Sequence, residues 1–424
     1  MPGSNGQGVA APTLLVVSGG GEAVPVIIEA KRLGLRVLVM DGDPAAPGFR
    51  YADVGLLASI DDPDGAVEAA RAYAGRSRID GVLAVAADVP MTAAAVADAL
   101  GLPGVPLATA ALAADKLAMK NRLRARGVPV PWYAPVDHPA ALRSLVAQAG
   151  RPLVLKPVDS RGARGVLRLL PDVDLTWAFE LAAAESPTGR VMVEEFVAGP
   201  QVTTEAVVVE GRTTTVACSD RNYEWLDRFA PFVIDNGGDL PTALTAPTVI
   251  AIEHLMAAAA RALGVERGTV KGDLVIGPEG PLLIALAVRL SGGFFCTHEI
   301  PLATGVNVVE CAIRLALGRP VPDDMLVPRW SRGVSQRYFF PPPGTVVSVT
   351  GVDEVAMGEG IALLDLRVRP GTVVRPMTSQ VCRGGVVIAV ADTRDEAVRR
   401  ANLATARVRI VTRPTLAAAA ACVH

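Results

Sequence analysis

Along the first hundred residues, short apolar runs alternate with stretches in which apolar positions recur at helical spacing. Thr13–Ser18 is a strand running into Gly19-Gly20-Gly21, and Val24–Leu33 carries helical periodicity. Arg36–Met40 is a second strand ending at Asp41. Ile79–Ala86 is a third, with Asp88 just past its end and a helix from about Met91 to Leu100. Strand alternating with helix predicts a parallel sheet covered on both faces. No G-x-G-x-x-G fingerprint is present, and Asp41 closes the very next strand. The triple glycine therefore reads as a structural turn, with small-molecule contact at the strand ends as the alternative.

Gly101–Pro106 punctuates the chain. A helical stretch, Leu107–Arg126, then carries Lys116 and stops at Gly127, Pro129 and Pro131. Next, Leu153–Pro157 delivers Lys156 into Ser160-Arg161-Gly162-Ala163-Arg164-Gly165, and Val166–Leu170 brings the chain back. This pattern predicts a β-hairpin with a long, mobile tip. Val191–Val197, Val202–Val209 and Thr213–Ala217 read as three strands of one antiparallel sheet, with the Ala246–Leu263 helix packed against it. Thr269–Ile276 and Leu282–Val288 form a hairpin ahead of Arg289-Leu290-Ser291-Gly292-Gly293. From about Gly318 the texture changes to short strands, closed by a helix over Arg394–Val408.

The reading is an α/β chain with tails at 1–12 and 413–424 and three domains between them, at 13–106, 107–318 and 319–412. A net charge of −2 gives no basic footprint for nucleic acid, and no apolar run is read as long enough to span a membrane. Five scattered cysteines without zinc spacing fit free thiols in a reducing cytoplasm. The chemistry concentrates at the Lys156 hairpin. Its glycines let backbone N–H groups approach an anion, and Lys156, Arg161 and Arg164 supply charge. It is not a P-loop, because the lysine precedes the glycines and no helix follows.

With Lys116, the Lys156 hairpin, Val193-Glu194-Glu195-Phe196-Val197 and Arg289-Leu290-Ser291-Gly292-Gly293 in order, residues 13–412 resemble the ATP-grasp superfamily. The nearest branch is that of carboxylate–amine or carboxylate–thiol ligases, biotin-carboxylase-like and L-amino acid ligase-like. The resemblance implies a Rossmann-like N-terminal domain, an ATP-grasp α+β two-lobe core and a C-terminal β-rich domain. It implies ATP and Mg2+ as cofactors and a small carboxylate with an amine or thiol as substrates, and it leaves room for a homodimer.

Residue by residue, Lys116 and Lys156 match the lysines that reach ATP phosphates, and Ser160, Gly162 and Gly165 fall in the loop that covers them. Glu194, Glu195 and Val197 match the hinge where main chain pairs with the adenine edge. Arg289 matches the arginine that steadies the transferred phosphate, so Arg289 and Lys156 are the implied catalytic residues. Asp220, Arg221, His298 and Glu299 lie in acceptor-side loops and are implied as substrate contacts; His298 reads equally as a surface or core histidine. Asp273 matches the first metal ligand. The partner strand departs from the pattern, with Ala285 where a bridging Glu is expected and Ala287 at the next inward position. Glu205 is a candidate to compensate. Two activities follow: a ligase working through an acylphosphate, or a catalytically impaired ATP-binding homologue with a regulatory or scaffold role.

Overall fold

The computed structural model describes residues 11–414, so most of both expected tails, including the terminal alanine tract, lies outside the described residues. The N-terminal part is a parallel sheet in the order β3-β2-β1-β4, from β1 (Thr13–Val17), β2 (Arg36–Asp41), β3 (Val54–Leu57) and β4 (Gly81–Ala84). Helices α1 (Val24–Arg32), α2 (Pro63–Ala74) and α3 (Pro90–Ala99) accompany it. All five residues of β1 are buried, as a strand covered on both faces requires. The triple glycine is a structural turn: Gly19 N–H donates to the Asp41 carboxylate at 2.7 Å.

The expected single helix over 107–126 is two, α4 (Leu107–Ala114) and α5 (Lys116–Ala125). Asp115 leaves helical geometry, and its carboxylate accepts the Ala118 N–H at 2.8 Å, which restarts the helix and sets Lys116 at its first position. A four-stranded antiparallel sheet follows, in the order β5-β8-β6-β7. Its elements are β5 (Tyr133–Val136), α6 (Pro139–Ala149), β6 (Leu153–Pro157), β7 (Leu167–Arg168), α7 (Leu175–Ala184) and β8 (Val191–Glu195). The expectation that 191–197 shares a sheet with the two strands after it is corrected: β8 pairs with β5 and β6 instead.

Those two strands, β9 (Gln201–Val209) and β10 (Arg212–Arg221), belong to an eight-stranded sheet in the order β13-β12-β9-β10-β11-β14-β18-β16. The others are β11 (Gly237–Leu240), β12 (Gly268–Gly277), β13 (Gly280–Ala287), β14 (Gly333–Phe339), β16 (Ile361–Leu366) and β18 (Gly385–Ala391). The sheet therefore runs across the boundary expected near residue 318. A small sheet of β15 (Gly344–Thr350), β17 (Val373–Val374) and β19 (Arg409–Arg413) completes the strands, with helices α9 (Ile300–Thr304), α10 (Val308–Ala316), α11 (Val352–Ala356) and α12 (Arg394–Arg407).

Helix α8 (Ala246–Leu263) is long and apolar enough to cross a membrane, which corrects the expectation that no segment is. Here it buries Ile252, Leu255, Met256, Ala259, Ala260 and Leu263, the side facing the large sheet. Gly272 on β12 lets it approach, since a Cβ there would meet the Met256 sulfur. Each large apolar side chain so buried stabilises the fold by about 1.5–3 kcal/mol. One core joins Leu14 and Val16 of β1 to Leu290, Ile313, Val334 and Ile388, so the N-terminal sheet and the C-terminal strands close on the same interior.

Candidate active site

A cavity of about 850 Å³ opens where the three parts meet. At one end Lys156, near the end of β6, and Lys116, at the start of α5, face the same space. Lys116 Nζ donates to the Ser160 carbonyl at 2.6 Å, and burial pulls its pKa down to about 8. Beneath them lies a triad that sequence reading missed. Lys120 Nζ donates to one oxygen of Glu194 at 2.7 Å, and Lys156 pairs with the other. Lys120 is fully buried and Glu194 nearly so. One anion serves two cations: burial tends to raise the Glu194 carboxyl, but Lys120 and Lys156 hold it below the usual range. Each lysine is in turn undercompensated, and burial pulls Lys120 down to about 8. The signal for Lys120 was its i+4 spacing from Lys116, which sets it on the same side of α5.

Beyond this triad the hinge residues Glu194, Glu195 and Val197 line the wall, beside the apolar Pro131, Val154, Ile284 and Leu286. The Glu195 carboxylate turns outward to Arg151 at 2.9 Å. A flat heteroaromatic ring fits between such apolar walls while main chain at its edge supplies polar contacts.

The hairpin tip closes over the cavity. Ser160 and Gly162 line it; Gly165 does not. Gly165 has a φ of +66° and packs against α7, where a Cβ would come within 3.2 Å of the Ala182 backbone. Gly165 is thus set against α7 and away from the cavity lining, where the phosphate contact was expected. The tip also makes contacts with both flanking parts of the chain. Arg161 donates to Asp61 at 2.6 Å and to the Asp88 carbonyl at 3.1 Å, while the Gly162 carbonyl accepts the Gln380 N–H at 3.1 Å. Loops of the N-terminal part and the turn at Gln380–Cys382 in the C-terminal part thus both touch it.

At the far end Asp235 Oδ1 gathers Arg221 at 2.9 Å, Gln380 at 2.7 Å and Arg383 at 2.6 Å. The Arg383 guanidinium lies 3.7 Å from the Tyr338 ring centroid. Of the four expected substrate contacts, Arg221 and Glu299 line the cavity and Asp220 and His298 do not. Asp220 follows the strand alternation to the opposite face, where it accepts from Ala243 N–H at 2.9 Å and pairs with Arg394 at 2.5 Å. His298 packs edge-on against Phe294, with Nδ1 3.0 Å from the Thr297 hydroxyl. Glu299 is buried, and that burial pushes its carboxyl well above the usual range. Arg289 is on the wall, 3.7 Å from Asp88.

Three family models match successive stretches of the chain: an ATP-grasp N-terminal domain over 27–104, an ATP-grasp domain over 113–293 and an L-amino acid ligase C-terminal domain 2 over 337–413. A D-alanine–D-alanine ligase of Azoarcus sp. (strain BH72) is 30% identical over 230 residues, covering 52% of this chain and 70% of that protein. The chain belongs to the ATP-grasp family. A formate-dependent phosphoribosylglycinamide formyltransferase of Paraburkholderia xenovorans (strain LB400) is 29% identical over 429 residues, 94% of this chain and 96% of that one. The crystal structure of L-amino acid ligase from Bacillus licheniformis matches with a TM-score of 0.79 at 21% identity, covering 95% and 99% of the two chains. At that identity the likeness speaks for the shared ATP-grasp fold.

The magnesium expected from the ATP-grasp resemblance can be tested against the donor set. Asp273 on β12 pairs across the hairpin with Ala285, and Lys271 with Ala287, so the alanines stand where the departure was expected. Alanine offers no oxygen. The Asp273 carboxylate accepts from Arg221 at 2.9 Å and pairs with Lys271. Burial opposes its ionisation, but Lys271 and Arg221 hold its carboxyl far below the usual range. No group of three or more His, Cys, Asp or Glu that could hold a metal occurs among the described residues. Magnesium is held by one or two free carboxylates with phosphates, and the only standard ligand here is already tied to two cations. The residues do not fit it.

Glu205 does not compensate. It is fully buried on β9, with one oxygen accepting the Ser291 N–H at 3.1 Å and the other unpartnered. Burial pushes its carboxyl up to about 7. The folded chain thus holds this proton where the unfolded chain has lost it, and stability falls as pH rises from the ordinary carboxylate range through about 7. Glu205→Gln is expected to remove that slope, with a gain over the unmodified protein of roughly 3 kcal/mol at most above pH ~8. Melting curves across pH check this; parallel slopes in the two proteins would rule it out.

Proposed function

We propose that the chain is an ATP-dependent ligase that joins a small carboxylic acid to an amine through an acylphosphate. The observation that carries this reading is that Lys116, Lys156 and Arg289 share one cavity with Arg221, Glu299 and Arg383. In such a reaction a carboxylate oxygen attacks the γ-phosphorus and ADP leaves. The amine nitrogen then attacks the acyl carbon, phosphate leaves, and the amine gives up its proton. Phosphoryl transfer depends on positioning and charge neutralisation more than on covalent help. Lys116, Lys156 and Arg289 would place the triphosphate, the hairpin would exclude water, and the Asp235-centred cluster would orient the acid.

A second reading, nucleotide binding without turnover, is favoured by the loss of oxygen ligands at Ala285 and Ala287. ADP release across a matrix of acids and amines, with thiols as rival nucleophiles, separates the two. ADP formation that requires an acid supports the ligase. Tight ATP binding with no ADP from any pair supports the second reading.

A further inference from the structure

The wall that fails to hold a metal is not merely stripped. It carries its own fixed cations. Lys271 and Arg221 reach Asp273 from two different strands, β12 and β10, and all three side chains are at least three-quarters buried while still lining the cavity. Arg289 lines the same wall, with a buried Nε that has no hydrogen-bond partner. Across the hairpin Ala287 stands opposite Lys271 and Ala285 opposite Asp273, and both short side chains line the cavity. A divalent ion using Asp273 would have to displace both partners, leaving an ammonium and a guanidinium beside a doubly charged ion. An anion of phosphate oxygens meets the opposite situation, since Lys271 carries three donors and Arg221 a planar fork.

We infer that Lys271 and Arg221 take the place of the divalent cation, so that this site binds a nucleoside triphosphate in its metal-free form. This rests on the nucleotide reading above. The Asp273 carboxylate then serves as a positioning group. It holds two cations that repel each other side by side until the phosphates arrive.

The test is calorimetric titration of the full chain with ATP, once in excess EDTA and once in excess MgCl2. The expected result is an affinity in EDTA equal to or tighter than that in MgCl2. Replacing the ammonium by Lys271→Met should weaken binding in EDTA by about tenfold or more, the effect of losing one charge-assisted contact. Paramagnetic resonance of MnCl2 with ATP and the protein gives a readout independent of affinity, and no protein-bound manganese signal is expected. ATP binding tighter in MgCl2 than in EDTA, or a protein-bound manganese signal, would overturn the inference and leave the nucleotide reading intact. No ATP binding in either condition would overturn both. The unmodified chain alone decides these outcomes, so the result does not depend on the variant folding.

Discussion

Glu194→Ala is expected to destabilise the fold by about 3–5 kcal/mol, the range found when one member of a buried ion pair is removed. Glu194 is the shared counter-charge for Lys120, buried beneath the cavity, and Lys156, largely buried at its wall. Without it Lys120 must lose its proton or keep an uncompensated charge in a place water does not reach. Lys156 suffers less, because it borders the cavity. A second variant separates charge from packing. Glu194→Leu combined with Lys120→Met removes the two most deeply buried ions, leaves only Lys156 at the cavity edge, and should recover part of the loss, because an apolar pair of similar volume often equals a buried ion pair. Urea midpoints for the three proteins make the comparison. A Glu194→Ala midpoint matching the unmodified protein would mean that the triad does not hold this lobe together.

The triad also shows where sequence reading reached its limit. The Asp273–Ala285 pairing followed from the family resemblance and not from the turn, because the register shifts by one residue between Leu274–Leu283 and Asp273–Ala285, and counting back from the turn would set Ile284 opposite Asp273. The Asp220 error was avoidable: neighbouring residues in a strand face opposite sides, so Asp220 and Arg221 could not both face the cavity. The break at Asp115 was also readable, since Asp is a strong N-cap and begins a new helix when it leaves helical geometry. Partner choice was not readable. Nothing local tells β8 to pair with β6 rather than β9, because both neighbours offer an apolar edge. Nor does anything local bring Gln380 and Arg383 to Asp235, 145 and 148 residues earlier in the chain. Gln380 also donates its N–H to the Gly162 carbonyl at the hairpin tip, where the sequence showed only glycines, short side chains and two arginines.

The second large effect concerns nucleotide. ATP is expected to stabilise the unmodified protein by about 2.7 kcal/mol at one hundred times its dissociation constant, and Lys156→Ala to remove half of that shift or more. Lys156 stands at the end of β6, directly under the hairpin, and its carboxylate partner is shared with Lys120. Part of its charge is therefore free to act on a phosphate. Losing a charge-assisted contact of about 1.5–3 kcal/mol weakens binding by roughly tenfold to a hundredfold, which leaves about 1.4 kcal/mol or less of stabilisation at the same ATP concentration. The variant also frees Glu194 to pair with Lys120 alone, so its melting point without ATP will shift for reasons unrelated to nucleotide. The quantity to compare is accordingly the ATP-induced change, not the melting point itself. Lys156→Arg keeps the charge but substitutes a planar fork for a compact ammonium, and should retain an intermediate shift. An ATP-induced change that survives Lys156→Ala undiminished would place the triphosphate elsewhere in the cavity, and no change in the unmodified protein at saturating ATP would overturn the nucleotide reading altogether.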